Sequence, residues 1–156
     1  MLIYHIPGLE EMEIENIVLD YNGTIALDGE LIDGVKELLI KLKAYGNIYI
    51  LTADTYGTVE AQCSDIGITI MTFPQGKAAD YKKEIVERLG AHNTICIGNG
   101  FNDIEMFKAA RLSIAVMGKE GCSGKLLGCA DVVVHSIIDA IEILLKANRL
   151  KATLRE

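Results

Sequence analysis

The sequence NIVLDYNGT at residues 16–24 decides the fold. Its first five residues form an apolar run that ends in Asp20, which is typical of a strand buried on both faces of a sheet. The next four residues contain an amide, a glycine and a hydroxyl, which predict a tight loop after that strand. Ligands of open α/β sheets bind beyond the carboxyl ends of the strands, so Asp20 is a candidate functional residue.

Apolar runs of strand length alternate with amphipathic segments along the rest of the chain. Further strands are predicted at residues 47–52, 68–72, 93–98, 112–116 and 131–134, and helices at residues 33–45, 58–66, 77–89, 102–110 and 136–147. This alternation implies right-handed crossovers and a parallel sheet covered on both faces. Two apolar runs that flank PGLEE predict a small N-terminal β-hairpin. The predicted fold is a three-layer, doubly wound α/β sheet, as a single domain over residues 1–156.

Composition limits the classes of function. The chain has 156 residues, of which 50% are hydrophobic and 24% are charged, enough for one buried core. Its net charge is −7 without any basic cluster, which argues against nucleic acid as a partner. No apolar run approaches the roughly 20 residues that span a bilayer, so no membrane association is expected. The start of the chain lacks the pattern of a signal peptide and the four cysteines form no CxxC pair, so a cytoplasmic protein is expected.

Chemically useful side chains follow successive strands of the predicted sheet. Asp20 ends the first central strand, Thr52 ends the second, Lys77 begins a helix, and the loop GNGFND at residues 98–103 follows a later strand. These positions meet at one edge of a parallel sheet. Carboxylates hold Mg²⁺, while lysine and backbone N–H groups neutralise phosphate oxygens. The set therefore indicates phosphoryl chemistry with a hard cation.

Each of these residues also has an ordinary structural explanation when it is taken alone. Asp20 is compatible with a turn residue, Thr52 with a β-branched strand end, and Lys77 with a solvated charge. Asn102 is compatible with a helix N-cap. Lys77 would oppose the dipole of the helix that it begins, which is a small argument for a special role. The order of all four features along the chain favours the functional interpretation.

This order of motifs resembles the haloacid dehalogenase superfamily of phosphohydrolases and phosphotransferases. The first motif of that superfamily corresponds to DYNGT at residues 20–24, the second to Thr52, the third to Lys77 and the fourth to GNGFND. The resemblance covers roughly residues 16–134. The T-x-D sequence at residues 52–54 and the GxGxND loop look most like the phosphorylation domain of P-type ATPases, which suggests a small branch of that kind without membrane helices.

The resemblance implies a role for each matching residue. Asp20 would attack phosphorus and form an aspartyl phosphate. Thr52 would hydrogen-bond the phosphoryl group and Lys77 would balance its charge. The remaining residues would bind Mg²⁺ or shape the loops around the phosphate: the metal set is Asp20, the backbone carbonyl of Asn22, Asn99 and Asp103, and the loop set is Asn22, Gly23, Thr24, Ala53 and Asn102.

Two positions depart from the superfamily pattern. Phosphatases of the superfamily carry a second aspartate as general acid/base where this chain has Asn22, and an amide cannot exchange that proton. Asn99 stands where the usual first metal carboxylate lies, so weaker metal binding is expected. Slow turnover is one expectation from these departures. The alternative is a degenerate relative that binds phosphate, Mg²⁺ or a protein partner without turnover.

The spacing of the motifs leaves no room for a cap domain. Each interval, from Asp20 to Thr52 and from Thr52 to Lys77, is filled by one predicted helix and its strands. The site is therefore expected to be open. An open site suits a phosphorylated macromolecule as substrate, or a homo-oligomer that supplies a lid to a site for small molecules. No nucleotide-binding domain follows the first motif, so ATP use has no visible recognition module.

Overall fold

The computed structural model describes residues 1–54 and 57–156. The chain begins with an antiparallel hairpin of β1 (Leu2–Tyr4) and β2 (Met12–Ile14). The later strands are β3 (Asn16–Asp20), β4 (Ala26–Leu27), β5 (Glu30–Leu31), β6 (Asn47–Thr52), β7 (Thr69–Thr72), β8 (Thr94–Gly98), β9 (Leu112–Val116) and β10 (Val132–Val134). The helices are α1 (Val35–Lys43), α2 (Thr58–Cys63), α3 (Ala78–Leu89), α4 (Ile104–Ala109), α5 (Gly124–Leu127), α6 (Ile137–Leu145) and α7 (Ala147–Leu154).

Six strands form a parallel sheet in the order β10-β9-β8-β3-β6-β7. β3 lies at the centre and pairs with β6 on one side and with β8 on the other. Every residue of β3, β8 and β9 is buried, as their uninterrupted apolar sequences predict for strands that are covered on both faces. The doubly wound α/β sheet and the N-terminal hairpin predicted from the sequence are confirmed.

The sheet separates two hydrophobic clusters. Alternate residues of β3 point to opposite faces, so that Ile17 and Leu19 enter one cluster and Val18 enters the other. The first cluster joins the sheet to the N-terminal hairpin and to α1, α2, α6 and α7. The second joins the sheet to α3, α4 and α5. The helices of the two faces fix the sheet in the middle layer, with the carboxyl ends of its strands along one edge.

Several short elements lie outside the predicted pattern. β4 and β5 have two residues each and pair as a small hairpin after the loop that follows β3. The predicted helix at residues 136–147 ends at Leu145, since the backbone at Lys146 leaves the helical region, and α7 begins after it. Among the described residues, the segments between β3 and β6 and between β6 and α3 contain no cap domain. No helix of this described part has the length and apolar character needed to cross a bilayer.

Tyr4 links the N-terminal hairpin to the helical layer. Its side chain is 2% exposed, and its hydroxyl donates a buried hydrogen bond of 2.8 Å to the backbone carbonyl of Leu144 in α6. Tyr4→Phe removes the donor and leaves that carbonyl buried without this partner, which costs about 1–3 kcal/mol. We expect this decrease in the free energy of unfolding by urea denaturation. Tyr45→Phe, at a half-exposed tyrosine, is the control and should change stability by less than about 0.5 kcal/mol.

Candidate active site

A buried lysine joins two carboxylates at the carboxyl edge of the sheet. Lys82 Nζ lies 2.7 Å from Asp20 Oδ1 and 2.6 Å from Asp103 Oδ1. It also donates to Asn102 Oδ1 at 3.1 Å. The side chains of Lys82 and Asp103 are fully buried, and that of Asp20 is 12% exposed. Three segments of the chain, the end of β3, the middle of α3 and the loop after β8, therefore meet at one ammonium group.

Lys82, and not the predicted Lys77, is the lysine that contacts the two carboxylates. Lys77 is exposed at the start of α3, and the structure does not bring it into this group. Lys82 lies one turn further along the helix, on the face that also buries Ile85 and Val86. The spacing i, i+3 and i+4 places Lys82 on the same face as these apolar residues. That was the available sequence signal, because a lysine on the apolar face of a helix is almost never buried unless it is paired. Lys77 was predicted instead because its position at the start of the helix, against the helix dipole, suggested a special role.

The three charged groups shift one another's proton affinity. Burial raises the pKa of the Asp20 carboxyl above its usual range, and the nearby Asp103 carboxylate raises it further, while Lys82 and Thr24 oppose the shift. Burial alone would lower the pKa of Lys82, but the carboxylates of Asp20 and Asp103 outweigh it and the net shift is upward. Lys82 therefore stays charged, and it offsets the repulsion between the two carboxylates.

Asp103 serves the loop around it as well as Lys82. Its Oδ2 accepts hydrogen bonds from the backbone N–H groups of Asn99 at 3.1 Å and of Gly100 at 2.9 Å. A Cβ atom on Gly98 would lie 2.4 Å from the same oxygen, so only glycine allows this close approach. Both oxygens of Asp103 are thus engaged by protein donors.

Thr24 connects the loop after β3 to the loop after β8. Its buried hydroxyl lies 3.2 Å from Asp20 Oδ2 and 3.1 Å from Asn99 Oδ1, with donor geometry to both. The amide Nδ2 of Asn99 donates to the carbonyl of Gly121 at 3.0 Å. That bond turns Asn99 Oδ1 toward Thr24 and Asp20.

Gly23 gives the loop after β3 its shape. Its φ of 78° lies in the left-handed region that favours glycine, and its N–H donates to the carbonyl of Ala26 at 2.9 Å. A Cβ at Gly23 would lie 2.4 Å from Asn99 Nδ2 and 2.8 Å from Glu120 Oε2. The neighbouring Asn22 is exposed. The turn therefore leaves Asn22 exposed at the smaller cavity and keeps Thr24 buried.

The side chain of Thr52 is buried at the end of β6, where its hydroxyl accepts a 3.0 Å hydrogen bond from the backbone N–H of Asp54. A cavity of about 370 Å³ opens beside it. Lys82 and five residues that the sequence did not single out line this cavity. The lining also includes six residues that were expected from the sequence: Asp20, Asn22, Thr52, Ala53, Asn99 and Asn102. Gly23 and Thr24 instead line a second cavity of about 720 Å³, between the β4–β5 hairpin and the loop after β9.

The oxygen donors around the smaller cavity fit a hard divalent cation. Among the described residues, no group of three or more His, Cys, Asp or Glu side chains is arranged to hold a metal. The carboxylate of Asp20 and the side-chain oxygen of Asn99 nevertheless lie on either side of Thr24 Oγ1, and Asn22 lines the same cavity. Mg²⁺ uses oxygen ligands, needs only one or two carboxylates and keeps several waters. The donor set is compatible with Mg²⁺ and carries little negative charge.

With the fold and this arrangement established, comparison with known proteins identifies the family. The family model of haloacid dehalogenase-like hydrolases matches residues 2–111. The chain therefore belongs to the haloacid dehalogenase-like hydrolases. Two uncharacterized proteins of Methanocaldococcus jannaschii are similar to it in sequence. One is 46% identical over 79 residues, which is 48% of this chain and 85% of that protein, and the other is 62% identical over 39 residues, which is 25% and 89% respectively.

Solved structures show the same fold. The 3-deoxy-D-manno-octulosonate 8-phosphate phosphatase of Moraxella catarrhalis, in complex with a magnesium ion, a phosphate ion and a KDO molecule, has a TM-score of 0.67 and 20% identity over 89% of this chain and 90% of that chain. The cobalt-bound deoxy-D-mannose-octulosonate 8-phosphate phosphatase of Haemophilus influenzae has a TM-score of 0.69 and 16% identity over 92% and 94%. At these identities the likeness establishes the fold.

Removing the charge of Lys82 should destabilise the protein far more than removing that of Lys77. Lys82→Met leaves Asp20 and Asp103 buried without their cation, which costs about 3–5 kcal/mol, whereas exposed Lys77→Met should cost less than about 0.5 kcal/mol. The comparison is urea unfolding in the presence of a chelator.

The loss in Lys82→Met should also depend on pH. A carboxyl whose pKa is raised by folding binds its proton more tightly in the folded state, so its contribution is present at low pH and is lost as pH rises through the raised value. Lys82 lowers the pKa of Asp20, so its removal raises this pKa further and lets the buried carboxyl take up a proton at low pH. The deficit should therefore be smaller at pH 5 than at pH 8. Equal losses for the two variants, or a deficit that grows as pH falls, would show that the Lys82 contact is not a stabilising charge contact.

Proposed function

We propose that the protein is a Mg²⁺-dependent phosphohydrolase that acts through an aspartyl phosphate on Asp20. The observation that carries the proposal is the contact of Lys82 with both Asp20 and Asp103, beside a cavity that Thr52 also lines. A carboxylate held at a cavity mouth by a permanent cation is a suitable nucleophile for phosphorus. Membership of a hydrolase family supports a reaction in which water is the final acceptor.

In the proposed first step, an oxygen of Asp20 attacks the phosphorus of a phosphate ester or acyl phosphate. A bond from Asp20 to phosphorus forms, and the bond from phosphorus to the leaving oxygen breaks. The leaving group departs with the bonding electron pair, as a carboxylate from an acyl phosphate or as an alkoxide that takes a proton from water. Lys82 and the Thr52 hydroxyl lie at the cavity where the phosphoryl oxygens would be held, and the charge of Lys82 offsets the charge that Asp20 and the phosphate bring together. Thr24 holds Asp20 Oδ2 in place.

Asp20, the backbone carbonyl of Asn22 and Asn99 would hold Mg²⁺, with Asp103 acting through the loop that it fastens. When bound, the ion would neutralise phosphate oxygens and orient the phosphoryl group. In this proposal Asp103 is not a direct ligand of the metal. Its two functions are to fix Lys82 and to hold the backbone of Asn99, so its loss should weaken every part of the site together.

The second step, hydrolysis of the aspartyl phosphate, lacks an obvious base. Water must lose a proton as it attacks phosphorus and the bond to Asp20 breaks, and the exposed amide of Asn22 cannot accept that proton. We therefore infer that the phospho-enzyme is long-lived and that turnover is slow. This property agrees with the resemblance of the T-x-D and GxGxND sequences to P-type ATPases, which remains a prediction.

The substrate is proposed to be a phosphorylated compound whose leaving group extends out of the cavity. A volume of about 370 Å³ suits a phosphoryl group with a small neighbouring group, and larger substrates remain compatible because the cavity opens to solvent. Two structural relatives are named as phosphatases of an octulosonate phosphate, which makes sugar phosphates a reasonable first class to test. The four free cysteines support the predicted cytoplasmic location. A homo-oligomer that narrows the opening stays a prediction.

A second candidate function is binding without turnover. It is favoured by the exposed amide at position 22 and by the engagement of both Asp103 oxygens with protein donors. In that case the protein would hold phosphate or Mg²⁺ without breaking a bond. The two candidates differ in one observable, which is whether phosphate becomes covalently attached to Asp20.

Activity should require both Mg²⁺ and the Asp20 carboxylate. Wild-type protein incubated with acetyl phosphate, an aryl phosphate and a panel of sugar phosphates should release phosphate, and the release should stop with a chelator or in Asp20→Asn. Brief incubation with labelled acetyl phosphate should trap label on the wild type and not on this variant. Release without any trapped label in acid-quenched samples, or no activity and no label at all, would count against the covalent mechanism.

Supplying the missing acid should accelerate the second step. In Asn22→Asp a carboxyl replaces the exposed amide, and turnover should rise by up to roughly 10²–10⁴-fold if that carboxyl reaches the attacking water. With acetyl phosphate, whose acetate leaving group needs no proton, only hydrolysis gains from the new carboxyl, so the steady-state level of labelled phospho-enzyme should fall as turnover rises. Asn22→Ser, which adds no acid, is the control. A wild type that already turns over as fast as Asn22→Asp would show that another group serves as the base.

A further inference from the structure

The loop between β9 and α5 lines the larger cavity and packs against the loop that follows Asp20. Its Glu120 places Oε2 so close to Gly23 that a Cβ there would lie 2.8 Å from this oxygen. The same Cβ would lie 2.4 Å from Nδ2 of Asn99. The carboxylate of Glu120 and the amide of Asn99 therefore converge over one glycine in the loop that follows Asp20.

Asn99 fastens this loop by two hydrogen bonds. Its side-chain amide donates to the carbonyl of Gly121 at 3.0 Å, and its own backbone carbonyl accepts from the N–H of Ser123 at 2.8 Å. An aspartate at position 99 could not donate to Gly121, because a carboxylate is only an acceptor. It would also bring a second negative charge close to Glu120. The amide at position 99 and the acid at position 120 thus suit one another.

The exposed carboxylate of Glu120 is hydrogen-bonded to the β4–β5 hairpin. Its Oε1 accepts a 2.9 Å hydrogen bond from the backbone N–H of Asp28, at the tip of the β4–β5 hairpin. Asp28 has a φ of 52° and is the one non-glycine residue with positive φ in the described part of the chain. With Oε1 fixed at the hairpin, Oε2 is left beside Gly23. The negative charge therefore lies on the larger-cavity side of the loop that carries Asn22 and Gly23.

We propose that Glu120 supplies the negative charge that the cation site lacks at position 99. The inference rests on the proposed function, since it concerns the Mg²⁺ expected at Asp20, Asn22 and Asn99. Glu120 acts across Gly23 as a positioning residue and is not a direct ligand. The amide at position 99 docks the loop, and the docked loop carries the charge. With Glu120 included, the site carries more negative charge than its motif alone suggests.

The size of the effect follows from Coulomb's law. In a dielectric close to that of water, a unit charge on the order of 10 Å from a divalent cation changes the dissociation constant by roughly three- to tenfold at low ionic strength. Because solvent lies nearby, added salt should screen most of this effect. A contribution made only through the shape of the loop would not respond to salt in this way.

The test is direct cation binding by the full chain without substrate, measured with Mg²⁺ by calorimetry and with Mn²⁺ by electron paramagnetic resonance. Glu120→Gln should weaken binding by three- to tenfold at low salt, and the difference from wild type should shrink at 0.5 M salt as solvent ions screen the charge. Glu13→Gln, which removes the same charge from the exposed face of β2, is the matched control and should bind as the wild type does. In Asn99→Asp/Glu120→Gln the charge returns to position 99, and affinity should recover.

The outcomes separate the inference from the proposed function. If Asp20→Asn loses binding while Glu120→Gln binds as tightly as wild type, the role of Glu120 is overturned and the proposed cation site stands. A deficit in Glu120→Gln that is unchanged by salt, or is not recovered in the double variant, also overturns the inference. If the wild type binds neither Mg²⁺ nor Mn²⁺, both the cofactor proposal and the inference fail.

Discussion

The ammonium group of Lys82 between Asp20 and Asp103 is the interaction on which the rest of the site depends. Burial and the neighbouring Asp103 carboxylate both raise the pKa of Asp20, and the adjacent ammonium group of Lys82 opposes that shift and so favours the charged form of Asp20. The lysine also joins three segments that are far apart in sequence. Docking of α3 on the sheet and assembly of the site are consequently one event, since the helix brings the counter-charge with it.

Two glycines make this arrangement possible, because side chains can approach their backbone closely. Gly98 lets the Asp103 carboxylate lie against the end of β8, and Gly23 lets two side chains converge over the loop after β3. The second oxygen of Asp103 accepts hydrogen bonds from two backbone N–H groups, and these bonds fix the loop that carries Asn99. The charges of the site are therefore held by backbone geometry that tolerates no side chain at two positions, and not by a dense cluster of acids.

The sheet was predictable because its central strands are short and continuously apolar. β3, β6 and β9 have the bounds expected from the sequence, and the carboxyl-edge rule then locates Asp20, Thr52 and the loop after β8. Lys82 was missed because the reach and direction of a lysine depend on how its helix packs, although its spacing from Ile85 was informative. β4 and β5 are too short to show a period, and the contact of Asn99 with Gly121 depends on a loop path that no local pattern encodes.

The β4–β5 hairpin forms a wall of the larger cavity and is fastened by side chains from three other elements. The carbonyl of Gly29 accepts from Tyr21 and from Gln62, Gln62 also accepts from the N–H of Leu31, and Glu120 accepts from Asp28. These contacts tie the wall to the loop after β3, to α2 and to the loop after β9. The shape of the cavity is therefore set by the folded chain itself, and a molecule that entered it would be selected by its fit to that shape.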